Sequence, residues 1–255
     1  MKNSFIKYII LIVILIGNNP LHASTSPLLF KKANELYRGK QYAQSIALYD
    51  SILKENKTNY LVYYNLGNSH FKEGNIADAI LNYERAKTLN PDDEDINYNL
   101  KIAYSNTVDK IEPIPLLFYQ RWWQSFLNAL STGLWSVLSI SILWISLAAG
   151  IAYIFAKTVS FKRNMFLASI NLLILSGICY YISMASHRLI YGNHGAIVME
   201  ASAYIKSSPD EKSTTLFMLH QGTKVEITEE TKGWKKIKIA NGNVGWVATE
   251  QVEKI

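Results

Sequence analysis

Asn34 and Arg38 stand four residues apart, and Asn68 and Lys72 repeat the pair 34 positions later. On a helix, each pair lies one turn apart on one face. An amide donor beside a cation, offered twice in register, suits a peptide carboxylate or an acidic side chain. The plainer reading makes all four ordinary solvated positions, and the series stops at Ile102 and Asn106. A second set is aromatic: Tyr204, Trp234 and Trp246 are candidates for a groove that takes an extended peptide. Trp246 is expected to pack an end of its domain, and Trp234, opposite in parity to Ile237, to be the more exposed.

Neither set is catalytic. His22, His70, His187, His194 and His220 are scattered, and there is no HExxH, no Cx2C pair and no glycine-rich phosphate loop. The single cysteine, Cys179, sits in an apolar run, which leaves no thiol nucleophile in water and no intramolecular disulfide. The chain is therefore expected not to be an enzyme and to need neither metal nor cofactor. His70 is expected to be a core histidine rather than a ligand.

Leu66-Gly67, Gly74, Ala79, Tyr83, Ala86 and Pro91 fall at the spacing of a tetratricopeptide repeat (TPR) in residues 60–93, with Tyr63 where that motif often has Trp. Thirty-four residues earlier, Ala33, Leu36, Tyr42, Ser45, Ile46, Tyr49 and Ile52 keep the register over 26–59. Ser45 replaces the usual Ala, which bears on groove details. A further helix over about 94–109 reads as a cap, completing a TPR region at 24–110. Stacks this short are marginal alone, because each repeat buries its apolar face against a neighbour.

Between Trp122 and Ala156, and again between Asn164 and Ser186, no residue is charged. Residues 134–155 and 165–186 each exceed the roughly 20 residues needed to span about 30 Å of hydrocarbon. Lys157, Lys162 and Arg163 crowd the loop 156–164, and short basic loops stay cytoplasmic. Residues 111–133 join the TPR region to the membrane. There Pro113 and Pro115 are expected to stiffen a spacer, and RWWQSF supplies an aromatic belt. Ser136, Ser139, Ser141 and Ser146 suggest a helix-packing face, and Asn171 a hydrogen bond to the first span or a partner. Residues 1–23 have the layout of a secretory signal peptide, with a retained anchor as the alternative.

Residues 192–255 change to short alternating strands with turn signals. Ile237 and Ile239 share the face expected to be the core, Lys236 and Lys238 the other, and Asn241-Gly242 reads as a type I′ turn. Five or six strands in about 60 residues suit a small all-β barrel. GWKKI, VGWV and LHQGTKVEI resemble bacterial SH3 (SH3b) domains. The fold class expected is thus a multi-domain membrane protein: an α-helical TPR stack, a two-helix transmembrane hairpin and an SH3-like barrel.

The net charge of +6 does not indicate nucleic acid. Residues 24–120 hold 11 basic and 12 acidic residues and 189–255 hold 8 of each, so the excess flanks apolar runs and reports membrane topology.

The order of parts, with NTVDKIEPIP followed by RWW and the strand LFMLHQGTKVEI, resembles the BatE family of the Bacteroides aerotolerance (Bat) operon over essentially the whole chain. That resemblance implies an inner-membrane protein encoded with von Willebrand factor A-domain membrane proteins and a MoxR-type ATPase, in an envelope complex linked to oxidative-stress tolerance. It implies no active site. The function expected is a non-catalytic scaffold with both soluble domains periplasmic, binding envelope membrane proteins and the lipid bilayer. The alternative is a wall-sensing protein whose SH3b domain binds peptidoglycan peptides.

Overall fold

A Cβ at Gly67 would come within 2.7 Å of the Tyr83 ring. The missing side chain lets α3 (Tyr60–Glu73) lie close against α4 (Ile76–Leu89), with Tyr83 buried in the gap. Asn59 starts α3 by accepting the Leu61 N–H at 2.9 Å, and Gly74 ends it in the left-handed region at φ 89°. The same pairing precedes it as α1 (Pro27–Arg38) and α2 (Tyr42–Glu55), and α5 (Glu94–Ser105) follows. Ala33, Tyr49, Ile52, Val62 and Leu66 form one core cluster, and α5 buries Ile96, Leu100 and Ala103. Ser45 is fully buried but satisfied: its hydroxyl donates to the Ala33 carbonyl at 3.0 Å and meets Ser69 Oγ at 3.3 Å.

The computed structural model describes residues 27–55, 59–192 and 195–255. Residues 1–23, expected to be a signal peptide, and His22 and His194 lie outside the described residues. The chain divides into a unit ending at Ala103 and a second unit, Tyr104–Ile255.

In the second unit a short helix α6 (Phe118–Leu127) precedes α7 (Thr132–Phe155, 24 residues) and α8 (Val159–Tyr191, 33 residues). Both α7 and α8 are long and apolar enough to cross a membrane. Their mutual face is built from hydroxyls. Thr132 meets Ser186 at 2.9 Å and Ser136 meets Ser183 at 2.7 Å. Ser139 and Ser176 donate to each other's carbonyls at 3.0 and 2.9 Å, as Ser146 and Ser169 do at 2.8 and 3.1 Å. Small hydroxyls permit close approach, and pairing spares each the cost of facing hydrocarbon alone. Ser141 is exposed instead, and Asn171 donates to Leu167 of its own helix at 2.7 Å.

The connection between the two helices is shorter than the expected 156–164. α8 begins at Val159, so Lys162 and Arg163 lie in its first turns, and Lys162 Nζ sits 5.2 Å from the Tyr153 ring centre. Three residues suffice to reverse the chain once Ala156 and Thr158 take extended backbone at the two caps.

The C-terminal strands are β1 (Gly195–Val198), β2 (Ser202–Lys206), β3 (Thr215–His220), β4 (Lys224–Thr231), β5 (Trp234–Lys238), β6 (Val244–Ala248) and β7 (Val252–Lys254). They form an antiparallel sheet in the order β3-β2-β6-β5-β4-β1-β7. The last segment contributes a seventh strand, reached through a 3₁₀ turn at Thr249–Gln251 and paired with β1. Ala203, Ile205, Ile237, Ile239 and Val247 point into the core, while Lys236 and Lys238 do not. The Asn241-Gly242 turn is not type I′, because the only positive φ at a described non-glycine residue is at Lys40. Gly242 alone is left-handed, at φ 88°, and its N–H bonds the Ile239 carbonyl at 2.8 Å. This is a longer loop closed by one glycine.

Candidate functional site

Between the repeat helices, a cavity of about 330 Å³ is lined by Tyr37, Tyr64, Asn68, Lys72, Asn99 and Ile102. The structure thus brings Asn68 and Lys72 to one cavity, while Asn34 and Arg38 do not line it. Asn34 Oδ1 accepts the Tyr49 hydroxyl at 2.6 Å and Asn65 Nδ2 at 3.3 Å. Asn68 Oδ1 accepts the Tyr83 hydroxyl at 2.8 Å and Asn99 Nδ2 at 3.0 Å, and Asn99 also donates to the Tyr64 hydroxyl at 2.9 Å. Burial pushes the Tyr49 phenol up to about 12 and raises Tyr83 further, so both remain donors. The asparagine carbonyls therefore tie repeats together, and the exposed Lys72 is the cation beside the cavity. Asn65 and Asn99 escaped the sequence reading, although they too are 34 residues apart. His70 is partly buried, with Nδ1 unpartnered; burial lowers its pKa against the opposing pull of Asp78 and Asp50.

On the barrel, Tyr204, Trp234 and Trp246 all lie on the outer face, alternating with the buried positions of their strands. Tyr204 pairs across strands with Met218, and Trp246 with Lys206 and Lys236. Lys236 Nζ stands 5.7 Å from the Trp246 ring centre. Tyr204 is 56% exposed, with Leu216 and Val244 also open to solvent. Trp246 lies on this outer face, and Trp234 and Trp246 are both half-buried. On the opposite face Lys235 is buried, its Nζ 3.4 Å from the Val252 carbonyl, and burial lowers its pKa.

A third arrangement had no sequence signal strong enough to find it. Asp109 Oδ2 accepts the His220 backbone N–H at 2.7 Å and the Thr223 hydroxyl at 2.7 Å, while Oδ1 pairs with His220 Nδ1 at 2.8 Å. Burial alone would raise this carboxyl, but the His220 backbone, the His220 ring and the Thr223 hydroxyl together hold it below its usual range. Ile111 packs on the barrel core, and the Ile114 N–H bonds the Ala240 carbonyl at 3.2 Å. The proline segment, expected to be a stiff spacer, lies on the barrel.

Lys157, Lys162 and Arg163 are gathered at one end of the α7–α8 hairpin. No group of three His, Cys, Asp or Glu side chains among the described residues is placed to hold a metal ion.

The tetratricopeptide repeat family model matches residues 60–93, and the bacterial SH3 domain model matches residues 201–253. A comparison with curated proteins gives no match. One similar solved structure is the first TPR of Spaghetti (RPAP3) bound to HSP90 peptide SRMEEVD. It is 15% identical, with a TM-score of 0.18, over 34% of this chain and 97% of that one. Repeats and SH3b domains of these kinds are non-catalytic interaction domains.

Proposed function

We propose that this chain is a non-catalytic inner-membrane scaffold, with periplasmic TPR repeats and a periplasmic SH3b barrel that bind envelope protein partners in a Bat-type aerotolerance complex. The observation that carries the reading is the polar cavity that Lys72 lines with Asn68, Asn99, Tyr37, Tyr64 and Tyr83. It offers a cation to an acidic peptide, in a cleft whose polar neighbours are held rigid by their bonds to one another. The periplasmic orientation is supported by the basic end of the hairpin, which favours the cytoplasmic side. Contact between Asp109, before the first apolar helix, and His220, after the second, supports both segments sharing one side. Crosslinking in native membranes, followed by identification of the attached proteins, tests this. Von Willebrand factor A-domain Bat proteins are expected, with their yield reduced at least fivefold in Lys72→Glu. An unchanged yield in that variant overturns the TPR assignment.

A second reading rests on two outer-face pairs, Tyr204 with Met218 and Trp246 with Lys236, which offer aromatic and cationic contacts to peptidoglycan stem peptides. The full chain in micelles should then sediment with purified sacculi, and Trp246→Ala should weaken that. No sedimentation removes this reading.

A further inference from the structure

Residues 109–114 run from the turn between β3 and β4, where Thr223 sits, to the turn between β5 and β6, where Ala240 sits. They make no strand ladder with the barrel. One carboxylate is held by two backbone or hydroxyl donors and a ring nitrogen, and one isoleucine, Ile111, reaches the core. Further along, hold on the segment is light: Ile114 is 59% exposed, resting on Gly242, where a Cβ would stand 2.8 Å from Ile114 Cδ1. Pro113 and Pro115 favour an extended backbone and lack N–H groups, so this stretch resembles a docked peptide more than a woven strand.

We propose that this end of the barrel is a second peptide-binding site, specific for an aspartate followed by an isoleucine two residues on, and that residues 109–114 of the same chain fill it as a displaceable ligand. The recognising groups are fixed by the barrel itself. Thr223 is buried in the turn whose carbonyl accepts the Val198 N–H at 3.0 Å, and Gly222 N–H bonds Val198 in return at 2.8 Å. The donors are therefore set before any carboxylate arrives. An aspartate fits because its short side chain reaches the His220 N–H, the His220 ring and the Thr223 hydroxyl together. An asparagine can keep the two donors on its one oxygen, but its amide then faces the His220 ring and the charge-assisted character of all three contacts is lost. The site is separate from the Lys72 cavity, so it stands or falls independently of the scaffold reading. Tethering supplies the resident segment at an effective concentration on the order of millimolar, which hides the site from dilute competitors.

The probe is a labelled peptide of residues 107–115, TVDKIEPIP, added to the full chain in micelles. Wild type should show no saturable binding at micromolar peptide. Asp109→Lys, which ejects the resident aspartate and leaves His220 and Thr223 intact, should bind it, and Asp109→Lys with Thr223→Val should bind at least tenfold more weakly. A peptide with asparagine for aspartate should also lose at least tenfold. No binding to Asp109→Lys, or equal binding of the asparagine peptide, overturns the proposal. Should Asp109→Lys fail to fold, the wild-type chain gives the answer through trypsin cleavage after Lys110. A millimolar peptide carrying norleucine for its lysine should speed that cleavage, and unchanged cleavage overturns the proposal equally.

Discussion

Tyr83 donates its phenolic hydroxyl to Asn68 Oδ1 at 2.8 Å, and Tyr49 does the same to Asn34 34 residues earlier. Each asparagine then receives an amide from the following repeat, Asn65 in one case and Asn99 in the other. The ladder stops where Ile102 takes the next asparagine's place. A side chain that holds two neighbours is poorly suited to recognising a ligand, which separates the two residues lining the cavity. Asn68→Ala strands the Tyr83 hydroxyl and the Asn99 amide, at a cost of about 1–3 kcal/mol. Thermal unfolding of the repeats should show a clear drop for Asn68→Ala and none for Lys72→Glu, while loss of partner capture should appear in Lys72→Glu. A stable Asn68→Ala would show that the ladder contributes little.

Gly67 tests the packing beneath that ladder. Its missing Cβ would sit 2.7 Å from two Tyr83 ring carbons and 3.3 Å from the Ala79 carbonyl oxygen. The ring cannot swing aside without breaking its bond to Asn68. Gly67→Ala should therefore cost about 1–3 kcal/mol, as overpacking generally does. Gly133→Ala, where nothing lies within 4 Å, is the control and should leave the melting temperature unchanged. Equal melting of the two variants would contradict the close approach.

The repeats, the long apolar helices and the strands were legible because each leaves a pattern in the sequence: a period of 34 residues for Tyr49 and Tyr83, a period of two for Ile237 and Ile239, and uncharged stretches for the helices. Three of the four serines suspected of helix packing do pack, and Ser141 fails because it lies round the helix on the exposed side. The turn at Asn241-Gly242 was misread because a dipeptide does not state how many residues the loop uses. The Asp109 clasp was hidden for a different reason. Its partners are 111 and 114 residues away, and one of them is a backbone N–H that any residue could supply.

That clasp sets a pH dependence whose sign follows from the lowered carboxyl of Asp109. A carboxyl held lower in the folded state than its unfolded value near 3.9 stabilises fully above that value, and the contribution fades as pH falls through the folded pKa. Protection of the Lys110 bond from trypsin-like cleavage is unsuited to acid, so barrel tryptophan fluorescence is the readout. Below about pH 4 the wild-type barrel should lose stability more steeply than Asp109→Asn, which starts about 1–3 kcal/mol lower at neutral pH. Parallel curves for the two proteins would show that the carboxylate does not contribute.

Orientation gives the broadest test, because the clasp and the basic residues constrain it separately. Lys157, Lys162 and Arg163 at the hairpin tip should hold that end in the cytoplasm, and the link between Asp109 and His220 keeps the segments before and after the hairpin on one side. A reporter active only in the periplasm should therefore work when fused after Ile255, and a cytoplasm-only reporter at the same point should not. Replacing all three cations with glutamine removes the charge bias while leaving the hydroxyl face of α7 and α8 intact. A fraction of chains should then insert the other way, seen as falling periplasmic and rising cytoplasmic reporter activity. Because the hairpin packs through Ser136, Ser139 and Ser146 in either orientation, the inverted chains should still be folded and should retain the Asp109 clasp. A wild-type fusion active only in the cytoplasm would place the barrel and the aspartate strap together on the wrong side, and with them every envelope partner proposed for this chain.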